Sequence, residues 1–446
     1  MPAHSMLSSS SAPTTVAERR VSRRRLLAGT AAFTGAAAAT GLAGNAFARG
    51  AYAASVLPFV TPTHAERVRR GYGIGVHLTF KGVWTQHSAI RAHLDDLGVH
   101  LMRDRLTWQH AAQLRFFESA GSAGYQLHST VGTANTVLSP IDKGKTIAAL
   151  SSLGGMLHSL GMVNEPSSSG GPGPWVDRTI AEGQWLREAI DTNSQLDRVP
   201  LGSPSLYAPS LTLAEDYQRL SVLGPLLDFG CMHDYPGGKQ ADTFTAERLG
   251  KLRAGLGNLP LLVTEYGWNV RTEVTNRGRV IPENVQATYS AAAIYTAFLS
   301  GNTVSQFELL SEPADEEPDA FERGWGLIDC VSADPSTWVR RPSFHSVSAQ
   351  LRWLRDGDPV DTLRPVQVSV EHPEDPLLRT LVVGKRGGGT WLIMYRSAQV
   401  WDFRVRSFGA IAVPKTPVTV TDVAGTRTFQ VGEGITRIPL RRGVPA

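Results

Sequence analysis

Cysteine is almost missing from this chain: Cys231 and Cys330 are the only two in 446 residues. Two such residues far apart make no disulfide framework, and they read as two buried thiols. Lysine is scarce as well, seven residues against 37 arginines. An excess of one charge is also lacking once the chain is divided. The whole has 44 basic and 40 acidic residues, but residues 1–48 contain five arginines and one acid, Glu18, which leaves 39 of each sign. A neutral body carries no electrostatic footprint for nucleic acid or an anionic membrane. At 42% hydrophobic and 19% charged, the chain is too apolar to be disordered and too polar to be a polytopic membrane protein.

What residues 1–48 contain is an export pattern. Ser22-Arg23-Arg24-Arg25-Leu26-Leu27 places consecutive arginines before a mildly apolar stretch reaching Ala46. Ala46-Phe47-Ala48 and Ala51-Tyr52-Ala53 are small-x-small cleavage sites, so cleavage falls at about 48 or as late as 53. The expected product is an exported bacterial protein, extracellular or periplasmic, free of the membrane after cleavage and monomeric.

Beyond this segment, short apolar strands alternate with helix-period stretches. Strands are predicted at Gly73–Leu78, His100–Arg103, Gln126–Val131, Leu157–Val163, Val199–Ser203, Phe229–His233, Leu261–Thr264 and Val304–Leu309. Eight such strands separated by helices predict an α/β fold, a (β/α)8 TIM barrel, over residues 60–355. A doubly wound sheet is the alternative, but Gly71-x-Gly73-x-Gly75 precedes its strand's apolar run and opens no helix. From about Asp356 the pattern becomes short and β-branched, predicting a small antiparallel β-sandwich over 356–446. Within it, Gly384–Gly389 joins two strands with no helix after it, a hairpin and not a phosphate loop.

In a barrel of this kind reactive groups sit at the C-terminal ends of the strands. The fourth strand ends at Asn164-Glu165-Pro166 and the seventh at Glu265-Tyr266-Gly267-Trp268. Strand six ends at His233-Asp234-Tyr235-Pro236, and His77, Arg103 and Glu308 end strands one, two and eight. Two glutamates on facing strands suit retaining glycoside hydrolysis, which needs its carboxyl groups about 5–5.5 Å apart. No His-Glu-x-x-His or His-x-His run points to a metal mechanism, and no Gly-x-Ser-x-Gly elbow points to a serine hydrolase. The acidic run Asp315–Asp319 fits no EF-hand spacing. No cofactor and no metal is expected.

Asn-Glu-Pro and Thr-Glu-Tyr-Gly-Trp at these two strand ends resemble clan A glycoside hydrolases, the large retaining (β/α)8 superfamily. A softer likeness is to bacterial members near families 5 and 39. The resemblance implies acid/base for Glu165 and nucleophile for Glu265, with Asn164 on the sugar 2-hydroxyl. It further implies site roles for His233, Tyr235 and Arg103. Many clan members have Trp at the end of strand eight, where this chain reads Gln306-Phe307-Glu308. Either Trp325 or Trp268 then supplies the platform, or the subsite is built differently; Trp268, Trp325 and Trp175 are all candidates for stacking on sugar, or each is a core tryptophan. His77 and Glu308 complete the expected substrate contacts, although a buried Glu308 can also simply pair with an arginine. The implied function is a secreted retaining glycosidase cleaving O-linked, β-configured bonds of a plant or microbial oligo- or polysaccharide. A noncatalytic carbohydrate-binding protein and a transglycosylase are the other readings kept open.

Overall fold

A computed structural model describes residues 57–132, 141–169, 175–206, 213–240, 246–271, 280–360, 363–401 and 411–441. The expected export signal lies outside them. Residues 56–446 form one compact unit.

Two short strands open it, β1 (Phe59–Val60) and β2 (Thr63–His64). Seven barrel strands follow: β3 (Tyr72–Gly75), β4 (Leu101–Leu106), β5 (Gln126–Val131), β6 (Leu157–Gly161), β7 (Gly230–His233), β8 (Leu261–Tyr266) and β9 (Thr303–Gln306). They form one parallel sheet in the order β6-β5-β4-β3-β9-β8-β7. Its two edges are joined by residues 200–205, which bridge Leu160 through Leu201 and Phe229 through Gly202. This is the expected fifth barrel strand, and it closes the barrel. Pro200 and Pro204 have no N–H to donate, which restricts the segment to isolated bridges where a ladder would otherwise run. Every residue of β3, β7 and β8 is buried, as parallel strands covered on both faces require. Among the described residues, no helix is long and apolar enough to cross a membrane.

A small sheet of β10 (Leu310–Ser311), β11 (Ile328–Cys330) and β12 (Trp338–Arg340) follows the last barrel strand. The sandwich then comprises β13 (Val366–Glu371), β14 (Leu378–Gly384), β15 (Thr390–Arg396), β16 (Thr416–Asp422), β17 (Gly425–Val431) and β18 (Thr436–Leu440). Its two sheets run β1-β13-β16-β17 and β18-β15-β14-β2, so the segment preceding the barrel supplies an edge strand to each. Inward residues Val366, Val368, Leu392, Met394, Val418, Val420 and Ile438 form a core of their own. The 384–389 segment is the expected hairpin, closed by the Lys385 N–H on the Gly389 carbonyl at 2.9 Å.

The sandwich rests on two barrel helices, Glu283–Leu299 and Pro342–Leu354. Tyr395 and Thr296 share a hydroxyl hydrogen bond of 2.7 Å, Tyr289 accepts from the Val400 N–H at 2.9 Å, and Trp353 packs edge-on against Trp391. Cys231 and Cys330 are both free and buried.

Candidate active site

Asn164 and Glu165 leave the end of β6 in a constrained conformation. Asn164 bridges Ser205, and the Glu165 N–H donates to the Ser205 carbonyl at 2.8 Å. Glu165 has φ of 48°, a left-handed backbone that costs an L-residue about 1–2 kcal/mol and concentrates at functional sites. Behind it, on the helix Trp175–Thr192, the buried Glu182 accepts the Val163 N–H at 3.1 Å, and burial pushes its carboxyl up to about 8. Sequence reasoning missed Glu182, because an acid on an amphipathic helix reads as solvent-facing.

Glu265 occupies the last turn of β8 and is 8% exposed. Gly267, two residues on, has no room for a side chain: a Cβ there would strike the Phe307 carbonyl oxygen. The strand-seven and strand-eight ends are thereby pressed together. Four groups meet around the two glutamates. Arg103 Nη1, from β4, lies 2.8 Å from Glu265 Oε1, and its Nη2 donates to Asn164 Oδ1. The Tyr235 hydroxyl donates to Glu265 Oε2 at 2.6 Å. His233 Nδ1 stands between the carboxylates, 2.8 Å from Glu165 Oε1 and 3.2 Å from Glu265 Oε2. Tyr235 reaches inward because Gly237 and Gly238, both at positive φ, turn the chain directly after Pro236.

These contacts set the charge of Glu265. Burial alone would raise its carboxyl, but His233, Arg103 and the Tyr235 hydrogen bond outweigh burial and hold it below the ordinary carboxylate value. Burial and the Glu265 charge push the Tyr235 phenol far up, so it remains a donor. One oxygen of Glu165, one of Glu265 and a ring nitrogen of His233 lie within 4.8 Å of one another. Such a trio is also close enough to hold a metal ion. Both Glu265 oxygens, however, are already engaged by Arg103, Tyr235 and His233.

The strand-eight side differs. Glu308 is 2% exposed, and its nearest polar group is His77 Nε2 at 3.0 Å from Oε2, not the arginine that a structural carboxylate would have. Burial, then the charges of Glu265, Glu322 and Glu317, push its carboxyl well above the usual range. Glu312, which the sequence did not single out, accepts the Trp84 indole N–H at 2.5 Å and is pushed up to about 8, first by burial and then by Glu308. Burial lowers His77, which therefore stays neutral. Aromatic rings surround this pair: Phe80 stacks on His77 at 5.0 Å, while Phe307 and Trp84 meet it edge-on at 5.3 and 5.2 Å. The Phe307–Glu308 peptide is cis.

Of the expected stacking tryptophans, Trp325 is half-buried and lies 4.8 Å from Tyr235 and 6.2 Å from Phe307, beside the glutamates. The other two are core residues. Trp268 is 1% exposed, donates its indole N–H to the Lys239 carbonyl at 2.8 Å, and packs between Tyr266 and Tyr289. Trp175 is 3% exposed beneath the Arg219 guanidinium. The next-but-two residue after a catalytic strand end points back into the protein, which the peptide Thr-Glu-Tyr-Gly-Trp does not announce.

No protein-family profile matches this sequence, and no curated protein does. Solved structures do match the fold. SrfJ from Salmonella typhimurium superposes with a TM-score of 0.54 at 13% identity, covering 89% of this chain and 95% of that one. A 4-O-alpha-L-rhamnosyl-beta-D-glucuronidase from Fusarium oxysporum gives 0.50 at 12% identity, covering 86% and 99%. At such identities the likeness is one of fold: this chain has the barrel-plus-sandwich architecture found among glycosidases of known structure.

Proposed function

We propose that the protein is a retaining glycoside hydrolase, with Glu265 as nucleophile and Glu165 as acid/base. The observation that carries this is the pairing of two carboxylates within 4.8 Å, one held ionised by Arg103, His233 and Tyr235. Oxygens this close suit the nearer pairing of a retaining enzyme, which forms a covalent glycosyl intermediate. In the first step a Glu265 oxygen attacks the anomeric carbon while Glu165 gives its proton to the departing glycosidic oxygen. The result is a glycosyl ester and a free alcohol. In the second, water attacks the same carbon, loses a proton to Glu165, and Glu265 leaves as carboxylate. Asn164, oriented by Arg103, is placed to hold the 2-hydroxyl, where contacts strengthen in the transition state. A noncatalytic sugar-binding role has little use for this charge arrangement. A sugar in place of water in the second step would give transglycosylation with the same residues.

Proton NMR of the first-formed product on an activated β-glycoside tests the reading: the β-anomer is expected first, and an initial α-anomer refutes it. The Glu265→Ala protein is expected to lose hydrolysis by a factor of roughly 10⁴ or more. We further propose export through the consecutive arginines at 23–25. Replacing Arg23, Arg24 and Arg25 with lysines is expected to retain the protein in the cytoplasm in cell fractionation.

A further inference from the structure

The second wall of the cleft contains a charge arrangement that the two-step mechanism does not use. Between residues 308 and 322 the sequence holds Glu308, Glu312, Asp315, Glu316, Glu317, Asp319 and Glu322, with no lysine or arginine. Such a run on an exposed loop would be a solvated rim. Here, however, its first member, Glu308, is 2% exposed and stands close enough to Glu265, the group proposed to attack the sugar, to feel its charge. Among the described residues, neither Glu308 nor Glu312 has a lysine or arginine within ion-pair distance. Their polar partners are His77 and the Trp84 indole. Arg103, the cation of the site, is committed to Glu265 and Asn164.

Buried carboxyls are ordinarily matched to a cation in the protein, because an unmatched one resists ionisation. Two together beside a catalytic carboxylate, with the charge of Arg103 felt at Glu308 but no lysine or arginine in direct contact with either, create a place where a positive group on the ligand is favoured. The rings of Phe80, Phe307 and Trp325 border the same region, and aromatic faces attract ammonium groups as well as the apolar faces of sugars. We infer that the cleft takes a cationic glycan, an oligomer of hexosamine residues with free amino groups, and that Glu308 and Glu312 receive the ammonium groups. This rests on reading the site as a glycosidase centre. N-acetylation abolishes the charge and adds bulk, so acetylated oligomers are poor ligands. A uronic acid is repelled by the acids that attract an amine.

The test uses the Glu265→Gln protein, which keeps the cleft and lacks turnover. Calorimetry compares tetramers of glucosamine and of galactosamine with their N-acetylated forms, a glucose tetramer and a glucuronate-bearing oligomer. At least one free-amine tetramer is expected to bind tenfold or more tighter than every neutral and anionic oligomer. Adding Glu308→Gln or Glu312→Gln is expected to erase most of that preference while circular dichroism shows an intact fold. Equal binding, a preference for neutral or anionic oligomers, or no binding at all overturns the proposal. So does a preference unchanged by both glutamine variants in folded protein. Hydrolysis by the native enzyme is scored separately. Amine-selective binding without hydrolysis of any oligomer refutes the glycosidase reading alone, and hydrolysis confined to neutral glycans refutes the cationic substrate alone.

Discussion

Glu265 and Glu308 stand on neighbouring barrel strands, both almost fully buried, and their surroundings drive them in opposite directions. Around Glu265 an arginine, a histidine and a phenol supply donors, and the carboxyl is held below its usual value. Around Glu308 the contacting side chain is a neutral imidazole, burial and the charges of Glu265, Glu322 and Glu317 outweigh the pull of Arg103, and the carboxyl is held far above. The difference shows that burial alone does not decide a carboxyl's state. The company brought by neighbouring strands does, and a barrel can set two such environments side by side.

Breaking the Glu265 side is expected to have the largest effect. Arg103→Met removes the arginine from Glu265 and leaves only His233 and Tyr235 to hold it, at a cost of up to about 3–5 kcal/mol in folding stability by denaturant titration. Activity on every substrate should fall with it. Unchanged stability would mean that Arg103 does not hold Glu265.

Tyr235→Phe is next. Losing a hydrogen bond to a charged group costs about 1.5–3 kcal/mol, or roughly 10- to 150-fold in kcat/KM. The direction in pH is fixed as well. A depressed carboxyl loses its ionised form as pH falls through its folded value, and removing a donor raises that value. The acid limb of the kcat/KM profile should therefore move to higher pH, and a stationary limb would detach Tyr235 from Glu265.

The strand-eight side should respond more gently and with the opposite slope. Glu312 is raised in the folded protein to about 8, against an unfolded value near the ordinary carboxylate. The stability it lends is complete below the unfolded value and is lost as pH rises toward 8. Melting temperature is thus expected to fall between pH 5 and pH 8 in the native protein and to fall less in Glu312→Gln. Equal slopes would place Glu312 outside this balance.

The smallest effect is expected at Trp268→Phe. It forfeits one neutral hydrogen bond to the Lys239 carbonyl, about 0.5–1.5 kcal/mol, and should lower the melting temperature by a few degrees with KM unchanged. A raised KM would return Trp268 to the sugar-binding face.

Much of this frame is legible in the residues alone. The barrel strands declare themselves as apolar runs, and Asn164-Glu165 and Thr264-Glu265 stand at their ends, where barrel chemistry belongs. Even the fifth strand, broken by Pro200 and Pro204, was marked by its apolar residues. What escaped reading has two physical sources. β1 and β2 are two residues long, too short to show any period, and β17 has exposed threonines on its outer face and an arginine among its inner residues. The second source is partnership across sequence distance. Trp84 meets Glu312 and Tyr289 meets Trp268 through the fold, and no local spacing encodes either contact. Burial decides whether a tryptophan faces sugar or core, and burial is a property of the assembled barrel.

The edge strands at the start of the compact unit also set an order of events. Phe59 pairs with Gln367, and Thr63 with Val383, so these two strands await partners synthesised some three hundred positions later. Neither sandwich sheet can be completed until the barrel segment between its strands has been synthesised. Contacts this distant slow folding, and a chain begun at Ala65 would leave one edge of each sheet unpaired, open to strands from other copies.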